Sequence, residues 1–251
     1  MALWPVFTAL YRAWMRQSLT QPPVPASSVS WHRGTSWGAT SGLIALLLGT
    51  GAAFLETGSL GTWPSASDPS YTSFLTQNRT PILAQSLLFV FSSAAMIWFL
   101  GYVRARLLRA EGTPGTLSSI AFGAGLIAAA MNISGQAAQI VLTLPSAASL
   151  DTHAAGAIED LCLVTTTMAD VPLAVMFAAI AALSLGPHAY PAWLGWIAVA
   201  VAVAALIFTF SLVPVSGPLS PLGWLTSVLR LVPALWYIPS TVIMIRNHPV
   251  L

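Results

Sequence analysis

The sequence predicts an all-α fold: a polytopic transmembrane helix bundle of about six spans, preceded by an N-terminal interfacial amphipathic helix. Hydrophobic residues make up 56% of the chain and charged residues only 6%, whereas a soluble domain carries about 25% charged residues. The apolar residues also lie in runs of about 20 residues or more, each long enough to cross a hydrocarbon core. Arginine residues cluster in some of the connecting segments and avoid others, as expected of a membrane protein.

The first predicted element is an amphipathic helix over residues 1–17. Its apolar residues recur at spacings of three and four, and Arg12 and Arg16 lie one turn apart on another face. Such a helix lies on lipid headgroups. Residues 18–30 contain three prolines and four serines, which is typical of a linker. We therefore divide the chain into an interfacial helix and linker, 1–30, and a six-span bundle, 31–251.

The six predicted spans follow from the apolar runs, at about 37–57, 81–103, 118–143, 161–185, 193–214 and 222–245. Arginines precede the first span, and they follow the second and the sixth at Arg104, Arg106, Arg109 and Arg246. The 58–80 segment holds only Arg79, and the 144–160 segment has no basic residue. The positive-inside rule then predicts a multi-pass cell-membrane protein with both termini in the cytoplasm.

The composition also excludes several kinds of chemistry. All nine basic residues are arginine, so no lysine can form a Schiff base with a carbonyl substrate or cofactor. The four histidines lie outside the predicted spans, so no axial pair for a haem is expected. Glu159 and Asp160 belong to a small acidic group at the outer mouth, which we interpret as a solvated cap. We predict no cofactor and no metal site, and the arginines form no nucleic-acid-binding patch.

Two charged residues stand out deep inside predicted spans, Asp170 in the fourth and Arg230 in the sixth. Ionisable groups in the membrane are costly when unpaired and mark functional sites. Each lies about nine positions from the outer surface, a depth of about 13 Å at 1.5 Å per residue. We therefore predict that the two side chains are close enough to interact. Pro172 and Pro233 lie beside these residues and predict kinks at about the same depth. Pro239 predicts a further kink in the sixth span.

A stripe of polar residues in the third span lies in the same outer part of the membrane as Asp170 and Arg230. Asn132, Gln136 and Gln139 recur at spacings of four and three on one helical face. Gln85 in the second span and Glu56 in the first lie nearer the outer surface. These residues would either line an outward-facing pocket or hydrogen-bond across the bundle as structural contacts. For a pocket, Asp170, Arg230 and the carboxamides are the candidate ligand-binding residues, with Trp236 and Tyr237 as apolar walls.

The second half of the chain carries short motifs, namely Asp160-Leu161, Pro172-Leu173-Ala174, Trp193-Leu194-Gly195-Trp196 and Gly217-Pro218. In these motifs, residues 159–246 resemble an uncharacterised family of bacterial six-span integral membrane proteins, grouped as a domain of unknown function. Members of that family are similar in ending with an aromatic-rich span and an arginine. The resemblance implies a location in the bacterial cytoplasmic membrane. It implies no catalytic residue, because the family has no established activity.

Three functions fit the sequence. The first is a unit that binds or transports a small amphiphilic or cationic molecule, with Asp170 as counter-ion; six spans would then favour a homo-oligomer or a partner subunit. The second is a membrane enzyme acting on a lipid or isoprenoid by terpene-cyclase-like chemistry, with Asp170 or Glu56 as general acid. The third is an accessory subunit without a small-molecule site. Membrane lipids are the one partner common to all three.

Overall fold

A computed structural model describes residues 35–56, 60, 63–64, 68, 70–214, 217–220 and 223–246. The predicted amphipathic helix and linker, residues 1–30, lie outside the described residues. Every regular element in the described part is helical, which confirms the all-α prediction. The longer helices are α1 (Thr35–Phe54), α2 (Tyr71–Gln77), α3 (Arg79–Glu111), α4 (Thr116–Val141), α5 (Thr152–Met168), α6 (Asp170–Leu185), α7 (Ala192–Thr209), α8 (Trp224–Leu231) and α9 (Ala234–Arg246).

Four helical stretches are long and apolar enough to cross a membrane: Arg79–Glu111, Thr116–Val141, Thr152–Leu185 and Ala192–Leu212. They match the second to fifth predicted runs. The apolar part of α1, Thr40–Phe54, is shorter, and the sixth run is divided between α8 and α9. The α5–α6 stretch has 34 residues, about 51 Å at 1.5 Å per residue, so it is longer than a hydrocarbon core is thick.

The break between α8 and α9 occurs at Val232 and Pro233. Pro233 has no N–H with which to continue the helix, and the Leu235 N–H instead bonds to the Val232 carbonyl at 3.1 Å. A milder irregularity separates α5 from α6 at Ala169, three positions before Pro172. Both irregularities agree with the kinks expected from proline. Pro239, by contrast, lies inside α9 without ending it.

The helices form a closed ring. In chain order α1 contacts α3, α3 contacts α4, α4 contacts α6, α6 contacts α7, and α7 contacts α9, which returns to contact α1. The helix α5 packs on α4, and α8 packs on α7. Close approach of α1 and α3 is aided by small residues, and the Ser92 hydroxyl of α3 donates to the Ala45 carbonyl of α1 at 2.7 Å.

An aromatic cluster, defined here as Phe99, Phe177, Tyr190, Trp236 and Tyr237, fills one half of the ring. Its rings meet edge to face, with centroids 5.3 Å apart for Phe177 and Trp236 and 5.5 Å apart for Tyr190 and Trp236. This arrangement is favourable for aromatic quadrupoles. The surrounding core comes mainly from the C-terminal halves of α3 and α6 and the N-terminal halves of α4 and α7, together with Met244 near the end of α9. The packed core therefore occupies the half of the ring where α3 and α6 end and α4 and α7 begin.

Candidate functional site

The other half of the ring encloses a cavity of about 430 Å³. Its lining comes from eight helices, α1 and α3 to α9. The structure brings most of the predicted site residues to this one cavity: Glu56, Gln85, Asn132, Gln136, Gln139, Asp170, Arg230 and Tyr237 all line it. Residues more than 170 positions apart in the chain are thus neighbours, because each ring helix presents one face to the same interior.

Trp236 is the exception among the predicted site residues. Its side chain is fully buried in the aromatic cluster, and it is not among the residues that line the cavity. The adjacent Tyr237 contacts both regions, since it belongs to the aromatic cluster and also lines the cavity. One residue further along a helix turns a side chain by about 100°, so only one of two adjacent aromatic residues faces the cavity.

Asp170 and Arg230 both line the cavity, but they are not joined directly. Among the described residues, no hydrogen bond or ion pair of 4.0 Å or less links Asp170 to a neighbour. The Arg230 guanidinium lies over the Phe208 ring, with Cζ 5.2 Å from the centroid. This is a cation–π geometry. The arginine is exposed at the cavity and the aspartate is half-buried. Arg230 is close enough for its charge to act on Asp170, but it forms no ion pair of 4.0 Å or less with the carboxylate.

Five buried oxygen atoms of the cavity wall have no hydrogen-bond partner in the described part of the chain. They are Oε1 of Gln85, Oδ1 of Asn132, Oε1 of Gln136, Oε2 of Glu159 and Oγ1 of Thr167. A buried acceptor without a donor is costly, so such atoms mark places where a ligand or water donates. Gln139 differs, because its Oε1 accepts from the Ser86 hydroxyl at 2.8 Å. The wall is therefore rich in acceptors that the protein itself does not satisfy.

Glu159 is a cavity residue that the sequence interpretation placed in the solvated cap. In the structure its carboxylate lines the cavity and Asp160 is exposed. The spacing of residues in the sequence indicates which of the two acidic side chains faces the cavity. Positions 159, 162, 163, 166, 167 and 170 all line the cavity, and they follow the three-four spacing of one helical face. Residue 160 falls on a different face.

The surroundings of Glu159 extend to the short helix α2. Tyr71 of α2 is almost fully buried, and its hydroxyl has no partner among the described residues. Burial, followed by the nearby carboxylates of Glu159 and Asp160, raises the pKa of Tyr71 above its ordinary value. Tyr71 is therefore a neutral phenol at physiological pH. It packs in a small core with Leu75, Leu142 and Ala155 and adds no charge there.

A second, smaller cavity of about 210 Å³ adjoins the first. The two share wall residues, including Met96, Asn132, Asp170 and Tyr237. Beyond these residues the smaller cavity is mainly apolar, with Leu100, Ala128, Leu173 and Met176 in its wall. Asp170 therefore lies where the two cavities adjoin.

No three His, Cys, Asp or Glu side chains of the described residues are grouped so that they could hold a metal ion. Comparison with models of known protein families, with curated proteins and with solved structures finds no match to this chain. Membership in the bacterial six-span family stays a prediction.

Proposed function

We propose that the cavity binds a small organic cation or cationic amphiphile. The observation that carries this proposal is the chemistry of the wall, which combines the Asp170 carboxylate with buried carboxamide oxygens that lack donors. A ligand bearing an ammonium or another N–H group would supply both the charge and the donors. Phe208, Tyr237 and other apolar wall residues suit the hydrocarbon part of an amphiphile.

The proposal includes a membrane topology of six spans in a cell membrane, with both termini cytoplasmic. In support, α1 and α9 contact each other and complete the ring begun by the four long helices. The basic residues Arg104, Arg106 and Arg109 lie at the end of α3 that is remote from the cavity. The positive-inside rule then directs the cavity toward the outer leaflet. A ligand would enter from the outer surface or from the outer leaflet itself.

A binding experiment tests the cation proposal. The probe is tetraphenylphosphonium, titrated by calorimetry into the full chain in detergent. Asp170→Asn removes the charge at nearly constant volume and should weaken binding by about tenfold or more, equivalent to about 1.4 kcal/mol. Asp160→Asn is the matched control, since Asp160 is exposed on the adjoining helix and does not line the cavity. Equal affinity of the wild type and Asp170→Asn would overturn the proposal.

The enzyme alternative has one observation in its favour. Asp170 has no ion-pair partner among the described residues and borders the smaller, mainly apolar cavity, as a general acid acting on an isoprenoid would. In that case the purified protein should isomerise or cyclise a prenyl substrate, and Asp170→Asn should abolish turnover. Glu56, the other candidate acid, lines only the larger cavity. An accessory subunit would show neither cation binding nor turnover.

A further inference from the structure

The larger cavity has two separate acidic positions. Glu159 lies on α5, with Glu56 close enough for its charge to act on it, and Asp170 begins α6. Glu159 and Asp170 are eleven positions apart in the chain, which corresponds to about 16 Å along a helix at 1.5 Å per residue. Both line the same cavity. The negative charge is therefore distributed to two separate positions of the cavity wall.

The ionisable groups of the wall are unbalanced in charge. Three carboxyl groups line the cavity, those of Glu56, Glu159 and Asp170, against one guanidinium, that of Arg230. With all four ionised, the formal excess is two negative charges. Arg230 is directed to the Phe208 ring and makes no ion pair with these carboxylates in the described part of the chain. A ligand with two positive charges would neutralise the cavity without any carboxyl group taking up a proton.

A row of carboxamide side chains lies between the two acidic positions, and Oδ1 of Asn132 and Oε1 of Gln136 in this row lack a donor among the described residues. Asn132, Gln136 and Gln139 follow one face of α4, and α4 packs on both α5 and α6. The α4–α5 contact is close at Gly135, where an added Cβ would lie 2.5 Å from Cγ2 of Thr166 and 3.2 Å from the Cys162 carbonyl oxygen. Asn132 shares the wall of the smaller cavity with Asp170. The stripe thus runs from near Asp170 toward Glu159.

Two members of this wall are more than nine-tenths buried and still lack a donor. Gln85 and Gln136 are 2% and 6% exposed, and Oε1 of each has no partner among the described residues. Their oxygens suit an N–H group located between two charged ends. Apolar wall residues such as Phe89 and Leu163 lie beside them, where methylene groups would pack.

We propose that the ligand is an extended dication, a linear diamine or polyamine with one ammonium between Glu56 and Glu159 and the other at Asp170. This inference rests on the proposed function, because it requires that the cavity binds cations. To the proposed cation binding, the inference adds that the ligand has two positive charges and that these are separated along its length. The methylene chain between the two ammonium groups of the ligand would lie along the carboxamide row of α4.

The test compares diamines with a monoamine of equal length, using calorimetry on the full chain in detergent. The probes are linear diamines with four, eight and twelve methylenes, and the monoamines octylamine and dodecylamine. We expect the eight- or twelve-methylene diamine to bind at least about tenfold more tightly than the monoamine of the same chain length, since a second ammonium adds a second ionic contact. The four-methylene diamine, too short to reach both ends, should lose this advantage. This comparison needs only the wild-type protein.

Conservative variants test whether Glu159 and Asp170 each bind one ammonium group of the diamine. Glu159→Gln and Asp170→Asn should each reduce the diamine to the affinity of the monoamine of the same chain length, whereas the control Asp160→Asn should leave the preference unchanged. If the monoamines and the diamines bind equally and only Asp170→Asn weakens binding, the dication inference is overturned while the cation-binding function stands. If neither amine nor tetraphenylphosphonium binds the wild type, the proposed function itself fails.

Discussion

Arg230 and Asp170 face the same cavity, yet Arg230 lies over the ring of Phe208 and forms no ion pair of 4.0 Å or less with Asp170. Charges that are separated and partly exposed couple weakly, usually by less than about 1 kcal/mol. A buried ion pair would instead lose about 3 to 5 kcal/mol when one partner is removed. The arrangement therefore changes what a double-mutant cycle should show.

We expect Asp170→Asn and Arg230→Gln to have nearly additive effects on the free energy of unfolding, with coupling below about 1 kcal/mol. The measurement is reversible unfolding of the four proteins of the cycle in mixed detergent and dodecyl sulfate. Phe208→Leu measures the contact that the guanidinium does make, and its coupling to Arg230 should be about 0.5 to 1 kcal/mol. A coupling above about 2 kcal/mol between Asp170 and Arg230 would show that the two residues pair directly.

The sequence was sufficient to predict the helical class and the convergence of polar residues, for physical reasons. Apolar runs long enough to cross a membrane must satisfy their backbone internally, so helices were expected. Asn132, Gln136 and Gln139 were assigned to one face by helical periodicity alone, and all three line the cavity. Helical periodicity depends only on the local backbone, so it assigns side chains to a helical face correctly even when the packing of the helices is unknown.

Predictions that depended on packing were less successful. The prediction that Asp170 and Arg230 are close enough to interact was inferred from depth, and both residues line one cavity. Depth does not fix the direction of an arginine, however, and the guanidinium lies over the Phe208 ring. Trp236 was expected in the pocket wall and lies in the aromatic cluster. Glu159 was assigned to a solvated cap because α5 was expected to begin later, near residue 161, whereas α5 begins at Thr152.

The hydrogen bond from Ser86 to Gln139, at 2.8 Å, joins α3 to α4. We expect Ser86→Ala to lower the free energy of unfolding by about 0.5 to 1.5 kcal/mol, because it leaves the buried Gln139 oxygen without its donor. Ser93→Ala is the matched control on the same helix, since the Ser93 hydroxyl bonds to the Phe89 carbonyl of its own helix at 3.0 Å. Equal losses in the two variants would indicate that the interhelical bond contributes nothing.

Glu111 at the end of α3 stabilises the start of α4. Its carboxylate accepts from the backbone N–H groups of Leu117 and Ser118, at 2.7 and 2.8 Å. Glu111→Ala should cost about 1 kcal/mol of unfolding free energy, as loss of a helix N-terminal acceptor does. Arg109→Ala is the control, because the exposed Arg109 side chain bonds only within α3 among the described residues. Equal stability of Glu111→Ala and Arg109→Ala would contradict the capping role.

The membrane topology can be tested by cysteine accessibility in a Cys162→Ala background. Asp68→Cys lies before α2, on the connection at the cavity end, and Thr113→Cys lies in the α3–α4 connection. We expect a membrane-impermeant maleimide added to intact cells to label position 68 and not position 113. Inverted vesicles should give the opposite pattern. Labelling of position 113 in intact cells would reverse the proposed orientation and direct the cavity to the cytoplasm.

Gly135 fixes the approach of α4 to α5 beside the cavity. A Cβ at this position would lie 2.5 Å from Cγ2 of Thr166 and 3.2 Å from the Cys162 carbonyl oxygen. The second of these contacts is to backbone, so rotation of a side chain cannot relieve it. Gly135→Ala should therefore separate the helices and cost about 1 to 3 kcal/mol of unfolding free energy, as overpacking does.

Gly123 provides the control on the same helix, since a Cβ there meets nothing within 4 Å. Gly123→Ala should be neutral or stabilise by up to about 1 kcal/mol, because alanine is the better helix former. Cation binding adds a second measurement. If α4 and α5 separate, Gln136 of α4 and Glu159 of α5 move apart. Gly135→Ala should then weaken binding of tetraphenylphosphonium, and Gly123→Ala should not. Similar stability and affinity in both variants would show that this helix contact does not determine the cavity.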